Sequence, residues 1–212
     1  MSFGSLVFTP LVKKLQERYG SRRQYQRMEN SGISQDRLTP FETEFLAGRD
    51  SFYMATTGAT GWPYVQHRGG PPGFIRVLDD RTLAIPDFRG NRQYISTGNL
   101  ATDDRAALIL MDYPHRRRLK LYAHVEARDL ATDSELAAEL ALPGYRAKAE
   151  RGLIIHLAAF DWNCPQHIVP RFSEAELAPA LAPLRARLEA LESENQALRA
   201  ELAESSAARQ TG

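Results

Sequence analysis

The sequence predicts a mainly β fold: an antiparallel sheet closing on itself as a small barrel, followed by a separate helical coiled coil. Three observations carry this. Between residues 51 and 160 short apolar runs alternate with turn residues, giving six or seven strands and few helices. Strands joined by short turns pair antiparallel. From Leu181 onward the period changes to a strict heptad repeat.

Composition sets the outer bounds. The chain has 212 residues, enough for one medium domain and an appendage, and 43% of them are hydrophobic, enough for a real core. A formal net charge of +1 gives no bulk attraction to nucleic acid or an acidic membrane. The single cysteine, Cys164, excludes an internal disulfide and fits a reducing compartment. Residues 1–10 lack the pattern of a secretion signal, and no apolar run approaches the roughly 20 residues of a membrane span. These features predict a cytoplasmic protein.

The elements follow in order. Residues 10–28 read as a basic helix interrupted at Gly20, part of an arm over residues 1–38. Thr39-Pro40-Phe41-Glu42 is a capping box with Pro at the first helical position, and Gly48 ends that helix. Ser51–Thr57 and Trp62–His67 form a hairpin about Gly58-Ala59-Thr60-Gly61. In Gly69-Gly70-Pro71-Pro72-Gly73 the glycines allow close approach to the backbone. Phe74–Leu78 and Thr82–Pro86 form a second hairpin about Asp79-Asp80. The wholly apolar Ala106–Met111 reads as a central strand buried on both sides. In Arg117–Arg128, Leu119, Leu121, Ala123 and Val125 alternate with Lys120, Tyr122 and His124. Thr132-Asp133-Ser134-Glu135 is a second capping box, opening a short helix to Leu140, and Leu153–Phe160 is the last strand, with His156 read as a core residue.

After Pro165 and Pro170, Ser173-Glu174-Ala175-Glu176 is a third capping box whose helix is expected to break at Pro179 and Pro183. Leu181, Leu184, Leu188, Leu191, Asn195, Leu198 and Leu202 then fill every a and d position, with Asn195 at a. In a parallel pair, Arg187 meets the second chain's Glu192, and Glu194 meets Arg199. A DNA-binding zipper needs a basic helix running into Leu181; the residues there are acidic and interrupted by proline.

Asp87-Phe88-Arg89-Gly90-Asn91-Arg92-Gln93-Tyr94-Ile95-Ser96-Thr97-Gly98-Asn99-Leu100 carries the chemistry. A strand turns through a Gly flanked by two arginines into a helix, with Asn91 at a capping position. A helix N-terminus offers free backbone N–H groups, guanidiniums bind phosphate in bidentate fashion, and Ser96 and Thr97 add donors. The stretch reads as a seat for a phosphate monoester, or as a solvated Arg-rich turn. No nucleophile elbow, Walker loop or zinc spacing is present. Cys164 and His167 are two possible metal ligands where a closed zinc site needs four, so no metal is expected.

From Phe45 to about Arg128 these hairpins, the Asp87–Leu100 turn and the strands about Ala106–Leu110 and Arg117–Arg128 resemble the pyridoxamine 5′-phosphate oxidase-like family of FMN-binding split barrels. The tail Phe160–Ile168 resembles a branch of that family distinct from the true oxidases. The resemblance covers residues 40–172 and implies a six-stranded antiparallel split barrel over residues 39–172, with residues 173–212 as coiled coil. It also implies a homodimer with FMN in each cleft between subunits. Carried over, Arg89, Gly90, Asn91, Arg92 and Ser96 hold the FMN phosphate; His67, Arg68 and Gly69 run along the ring through their backbone groups; Pro86 and Asp87 lie beside the ribityl chain; Arg118 and Lys120 reach the flavin from the other subunit. Lys120 near the ring would favour its reduction. Trp162, Asn163 and Gln166 are expected to close the cleft.

The resemblance thus implies an FMN-dependent oxidoreductase acting on a small-molecule substrate. The alternative is a non-catalytic flavin-binding or sensing module that self-associates through its coiled coil. A deazaflavin or haem on the same barrel is a third reading. The chain lacks the paired Arg and His with which the true oxidases grip their substrate, which argues against pyridoxamine phosphate.

Overall fold

The computed structural model describes residues 3–32, 35–162 and 165–210. It divides into two compact units, Met1–Ile168 and Val169–Gly212. The first unit begins with three short helices, α1 (Phe3–Val7), α2 (Pro10–Arg18) and α3 (Arg22–Glu29). Gly20, at φ +75°, separates α2 from α3, as its left-handed conformation requires. The Thr39 capping box forms, its side chain accepting from Phe41 N while Glu42 reaches back to Thr39 N, and it opens α4 (Pro40–Ala47).

The strands are β1 (Ser51–Thr57), β2 (Pro63–Gly69), β3 (Arg76–Val77), β4 (Thr82–Phe88), β5 (Arg105–Asp112), β6 (Arg117–Asp129) and β7 (Ala149–Trp162). Two further helices, α5 (Ile95–Thr102) and α6 (Ser134–Glu139), interrupt them. All seven strands join one antiparallel sheet in the order β2-β1-β5-β6-β7-β4-β3. Seven strands fall within the six or seven expected, one more than the six the family resemblance implies, and the strand expected over 74–78 shortens to the two-residue β3.

The sheet curls strongly. β2 and β4 stand five steps apart in the ladder, about 24 Å in a flat sheet at strand spacing. Yet Arg68 Nη1 of β2 lies 2.5 Å from Asp87 Oδ1 of β4. Inside the curl sit Phe52, Met54, Leu83, Ile85, Leu108, Leu110, Leu119, Leu121, Leu153 and Ile155, joined by Phe45 and Leu46 of α4 and Leu100 of α5. The alternation predicted for β6 holds: Leu119, Leu121, Ala123 and Val125 are buried while Lys120, Tyr122 and His124 face outward. β5 is central but not buried on both sides. Every second residue is covered and the others are half-exposed, because its outer face carries only partial cover. His156 is exposed rather than in the core: it pairs with His124 and Thr82 on the outer face, out of phase with Ile155 and Leu157.

Other expectations need adjustment. What approaches the Gly69–Gly73 loop is the protein itself: a Cβ at Gly70 would stand 2.8 Å from the ring of Phe74, which is buried against Phe52. In α6 the cap is Asp133, whose side chain accepts from Leu136 N, while the Thr132 hydroxyl turns back to Asp129 O. Trp162 packs on α4, edge-on to Phe45 at 4.8 Å, and its Nε1 donates to buried Glu42 at 2.8 Å. Asn163 and Cys164 lie outside the described residues.

The second unit contains α7 (Glu174–Gln210), opened by the Ser173–Glu176 capping box. It continues through Pro179 and Pro183 instead of breaking. Each proline removes one N–H and strains one turn, which the long flanking helix outweighs.

Candidate functional site

The Asp87–Leu100 stretch builds one wall of a pocket of about 240 Å³. The β4–β7 ladder ends in an irregularity: Asp87 faces Arg151 and the next residue, Phe88, faces Ala149, so β7 carries one extra residue, Glu150, beside the pocket. The chain then runs through Gly90 and Asn91 to Arg92 and Tyr94, both left-handed at φ 61° and 55°. Neither is glycine, so this segment holds a backbone shape that side chains disfavour. Asn91 does not cap the helix as expected. Its Oδ1 accepts from Gln93 N at 3.2 Å in a tight turn, and the N-cap falls at Tyr94, with no side chain bonded to the helix start. The first N–H groups of α5 have no carbonyl partner within the helix, and the pocket wall consists of these residues, Ile95, Ser96 and Thr97.

The opposite wall comes from β2 and β7. Tyr64, Gln66 and Arg68 project from the core-facing side of β2, and Glu150 and Arg151 begin β7. Buried Asp87 sits at the centre. Its Oδ1 accepts from Arg68 Nη1 at 2.5 Å and its Oδ2 from Arg151 Nε at 2.9 Å. Burial disfavours the Arg151 charge, but the bonded Asp87 carboxylate outweighs it, and the guanidinium pKa is raised. The Arg68 Nε is buried and has no hydrogen-bond partner among the described residues. Buried Ser96 donates to Gln66 Oε1 at 2.7 Å, tying α5 to β2. Arg92 Nε donates to the Tyr94 hydroxyl at 3.1 Å; that hydroxyl lies 3.4 Å from Glu150 Oε2, and the Arg151 guanidinium stands 4.9 Å over the Tyr94 ring. Three guanidiniums against two carboxylates leave the lining net positive, suited to an anion.

The structure brings together Arg68, Asp87, Gly90, Asn91, Arg92 and Ser96 of the sequence-predicted residues. Arg89 stands beside the pocket, its Nε 3.4 Å from Glu150, and Pro86 is buried in β4. The other four lie elsewhere. Side chains alternate along β2, so the His67 side chain faces away from the pocket, and neither His67 nor Gly69 is among its lining residues. His67, Tyr53, Ile109 and Lys120 form one row across the outer face through successive strand pairs. Lys120 is paired with Asp161 at 2.9 Å and lies 5.1 Å over the Phe3 ring. Arg118 shares that face, its Nε buried with no hydrogen-bond partner among the described residues.

Reading the sequence missed Gln66, Glu150 and Arg151. Gln66 had a weak local signal, two residues before Arg68 on an alternating strand. Glu150 and Arg151 had none, since they reach Asp87 only through the β4–β7 register. Among the described residues no histidine lines the pocket, and no group of three or more metal-binding side chains occurs. No described helix is long and apolar enough to cross a membrane.

A family model described as pyridoxamine 5′-phosphate oxidase matches residues 38–155, more than half of the chain. No curated protein matches. Among solved structures, the chain is similar to the Group A Streptococcus protein HupZ, at 17% identity and a TM-score of 0.48, covering 64% of this chain and 100% of that one. It is similar to a general stress protein 26-related protein from Clostridium acetobutylicum, at 16% identity and a TM-score of 0.43, covering 65% and 94%. An FMN-binding protein from Syntrophomonas wolfei aligns at 8% identity and a TM-score of 0.44, covering 69% and 96%.

Proposed function

The chain belongs to the pyridoxamine 5′-phosphate oxidase family, and on that premise we propose that it is a flavoprotein whose FMN phosphate sits in the pocket at the start of α5. The single observation that carries this is the donor set. A helix start with no side-chain cap, an unpartnered buried Arg68 Nε and the Arg92 and Arg151 guanidiniums converge on one small cavity. A phosphate monoester near two negative charges suits that set better than a carboxylate does.

In this reading Gly90, Asn91 and Arg92 wrap the phosphate. Ser96, held by Gln66, fixes the first turn of α5 against β2, and Asp87 orients Arg68 and Arg151 toward it. A bound flavin would supply redox chemistry, so these side chains bind and orient and need form no proton-transfer dyad.

The remaining geometry supports a shared site. About 240 Å³ is below the volume of typical small-molecule pockets, so a whole flavin mononucleotide overflows it. The His67, Arg118 and Lys120 side chains lie on the sheet's other face, out of reach of that pocket within one chain. A second copy presenting its outer face would bring Arg118 and Lys120 to the exposed part of the flavin, giving the homodimer of split barrels expected from the family. Lys120 would first have to part from Asp161.

The reaction we assign is oxidoreduction of a small molecule. The alternative, a flavin-binding module without turnover, is favoured by the exposed leucine stripe of α7, which serves association rather than chemistry. Haem has no histidine ligand in the pocket among the described residues.

The test is direct. Purified protein should be yellow, release FMN on denaturation, and bind added FMN more tightly than riboflavin, which lacks the phosphate. Arg92→Ala should narrow that gap. Colourless protein that takes up neither compound refutes the flavin; equal affinity for both removes the phosphate from this pocket. Reduction of the bound flavin by nicotinamide nucleotides, with oxidation of a second molecule, separates enzyme from module.

A further inference from the structure

We infer that α7 pairs with α7 of a second copy of this chain as a parallel, in-register two-stranded coiled coil, with Asn195 facing Asn195 across the seam. The inference is independent of the flavin reading.

The helix presents its apolar side chains to solvent. Leu181, Leu184, Leu188, Leu191, Leu198 and Leu202 are all exposed, between 36% and 69%. A helix that packs on a globular body carries a wide stripe, with apolar residues at a, d and a third position of the heptad. Here the stripe is a and d alone. The e positions are Arg185, Glu192 and Arg199; the g positions include Arg187, Glu194 and Glu201. The b, c and f positions carry nothing larger than proline among apolar residues. Such a narrow seam fits another narrow seam. The two prolines agree with this: Pro179 falls at f and Pro183 at c, both on the side away from the seam.

The partner's chemistry follows from the flanks. Arg187 at g lies five residues before Glu192 at e, and Glu194 before Arg199. That is the offset at which g and e of two parallel identical chains meet, so the surface is complementary to itself.

Charge alone does not decide direction. Antiparallel chains would also match, through Arg185 with Glu192 and Arg187 with Glu194. Asn195 decides it. Antiparallel packing sets a against d, and every d position from 184 to 198 is leucine, so the buried amide would face Leu184 or Leu191 unpaired. Parallel in-register packing sets Asn195 against Asn195, and the two amides hydrogen-bond each other. Parallel pairing also brings the two chains out of their first units at one end, raising the local concentration of each unit for the other.

The experiment uses the full-length chain carrying Cys164→Ser, so that any thiol is introduced. Asn195→Cys in this background should form a covalent dimer on mild oxidation. Adding Leu191→Glu, a charge in the seam, should abolish it. An equimolar mixture of Asn195→Cys and differently tagged Leu184→Cys chains should give no mixed dimer. In the parallel arrangement these positions are about 16 Å apart along the helix, beyond disulfide reach. An Asn195→Cys chain that stays monomeric on oxidation, a cross-link indifferent to Leu191→Glu, or a dominant mixed dimer would each overturn the inference. FMN absorbance of the same samples reports on the other reading separately.

Discussion

Asp87 is where the pocket's architecture is most exposed to test. Its carboxylate holds Arg68 at 2.5 Å and Arg151 at 2.9 Å, joining β2 and β7 at the end of β4. Asp87→Asn preserves shape and removes the charge. The amide can accept from only one guanidinium and turns its NH₂ toward the other. Removing one partner of a buried ion pair costs about 3–5 kcal/mol. Asp87 and Arg68 side chains are about nine-tenths buried, but Arg151 is 21% exposed and partly solvated, so the lower end, about 3 kcal/mol, applies. For a unit of this size each kcal/mol shifts Tm by about 2–4 °C, so a fall of about 6–12 °C is expected. The substitution also raises the positive charge of the lining. Inorganic phosphate, as a replacement counter-ion, should therefore restore more of the variant's Tm than it adds to the wild type. The assay is thermal unfolding by circular dichroism in matched buffers with and without phosphate. An unchanged Tm would show that Asp87 does not hold the two strands together. A lowered Tm with ordinary phosphate sensitivity would place the anion away from Arg68 and Arg151.

Three further outcomes follow from single contacts. Ser96→Ala removes the bond to Gln66 Oε1, which keeps Arg68 Nη2 at 3.4 Å, so unfolding free energy in a urea titration should fall by about 1 kcal/mol. Gly152→Ala places a Cβ 2.7 Å and 2.8 Å from methyl groups of Leu136 and Leu140 beneath α6, and the same titration should register about 1–3 kcal/mol of destabilisation. Acid should act through Glu42 and Asp112. For both, burial pushes the pKa up but hydrogen bonds outweigh it, from Thr39 and Trp162 for Glu42 and from His115 and Arg117 for Asp112, and the folded pKa is lowered. A lowered folded pKa adds stability above the unfolded values, about 4.3 and 3.9, and that stability is lost as pH falls through the folded values. Tm should therefore drop below about pH 4, and less steeply in Glu42→Gln, which keeps an acceptor for Trp162 but no titrating group.

Local chemistry was legible. The Thr39 capping box, the Gly58–Gly61 turn and the break at Gly20 each depend on a few neighbouring residues, and each formed as expected. The outward placement of Lys120 and Tyr122 followed from period two alone. The turn proposed to hold the phosphate was visible because its Gly and two arginines are contiguous. Its conformation was not: the left-handed residues proved to be Arg92 and Tyr94, where no glycine advertises them. Pro179 and Pro183 misled because a local penalty was weighed without the long helix that absorbs it.

By itself, then, the sequence determined which segments are strands, where short helices start, that the tail carries a heptad repeat of leucines, and where a glycine turn between two arginines begins. These are short-range properties of periodicity, capping and turn residues. The tertiary structure decided which distant side chains share a space. Only the curl of the sheet carries Arg68 to Asp87 across five strand steps, and only the β4–β7 register delivers Arg151. The side-chain alternation of β2 turns the His67 side chain to the face opposite its neighbour Arg68, the face that also carries Arg118 and Lys120. Such placements depend on closure and register over scores of residues, which no local pattern encodes.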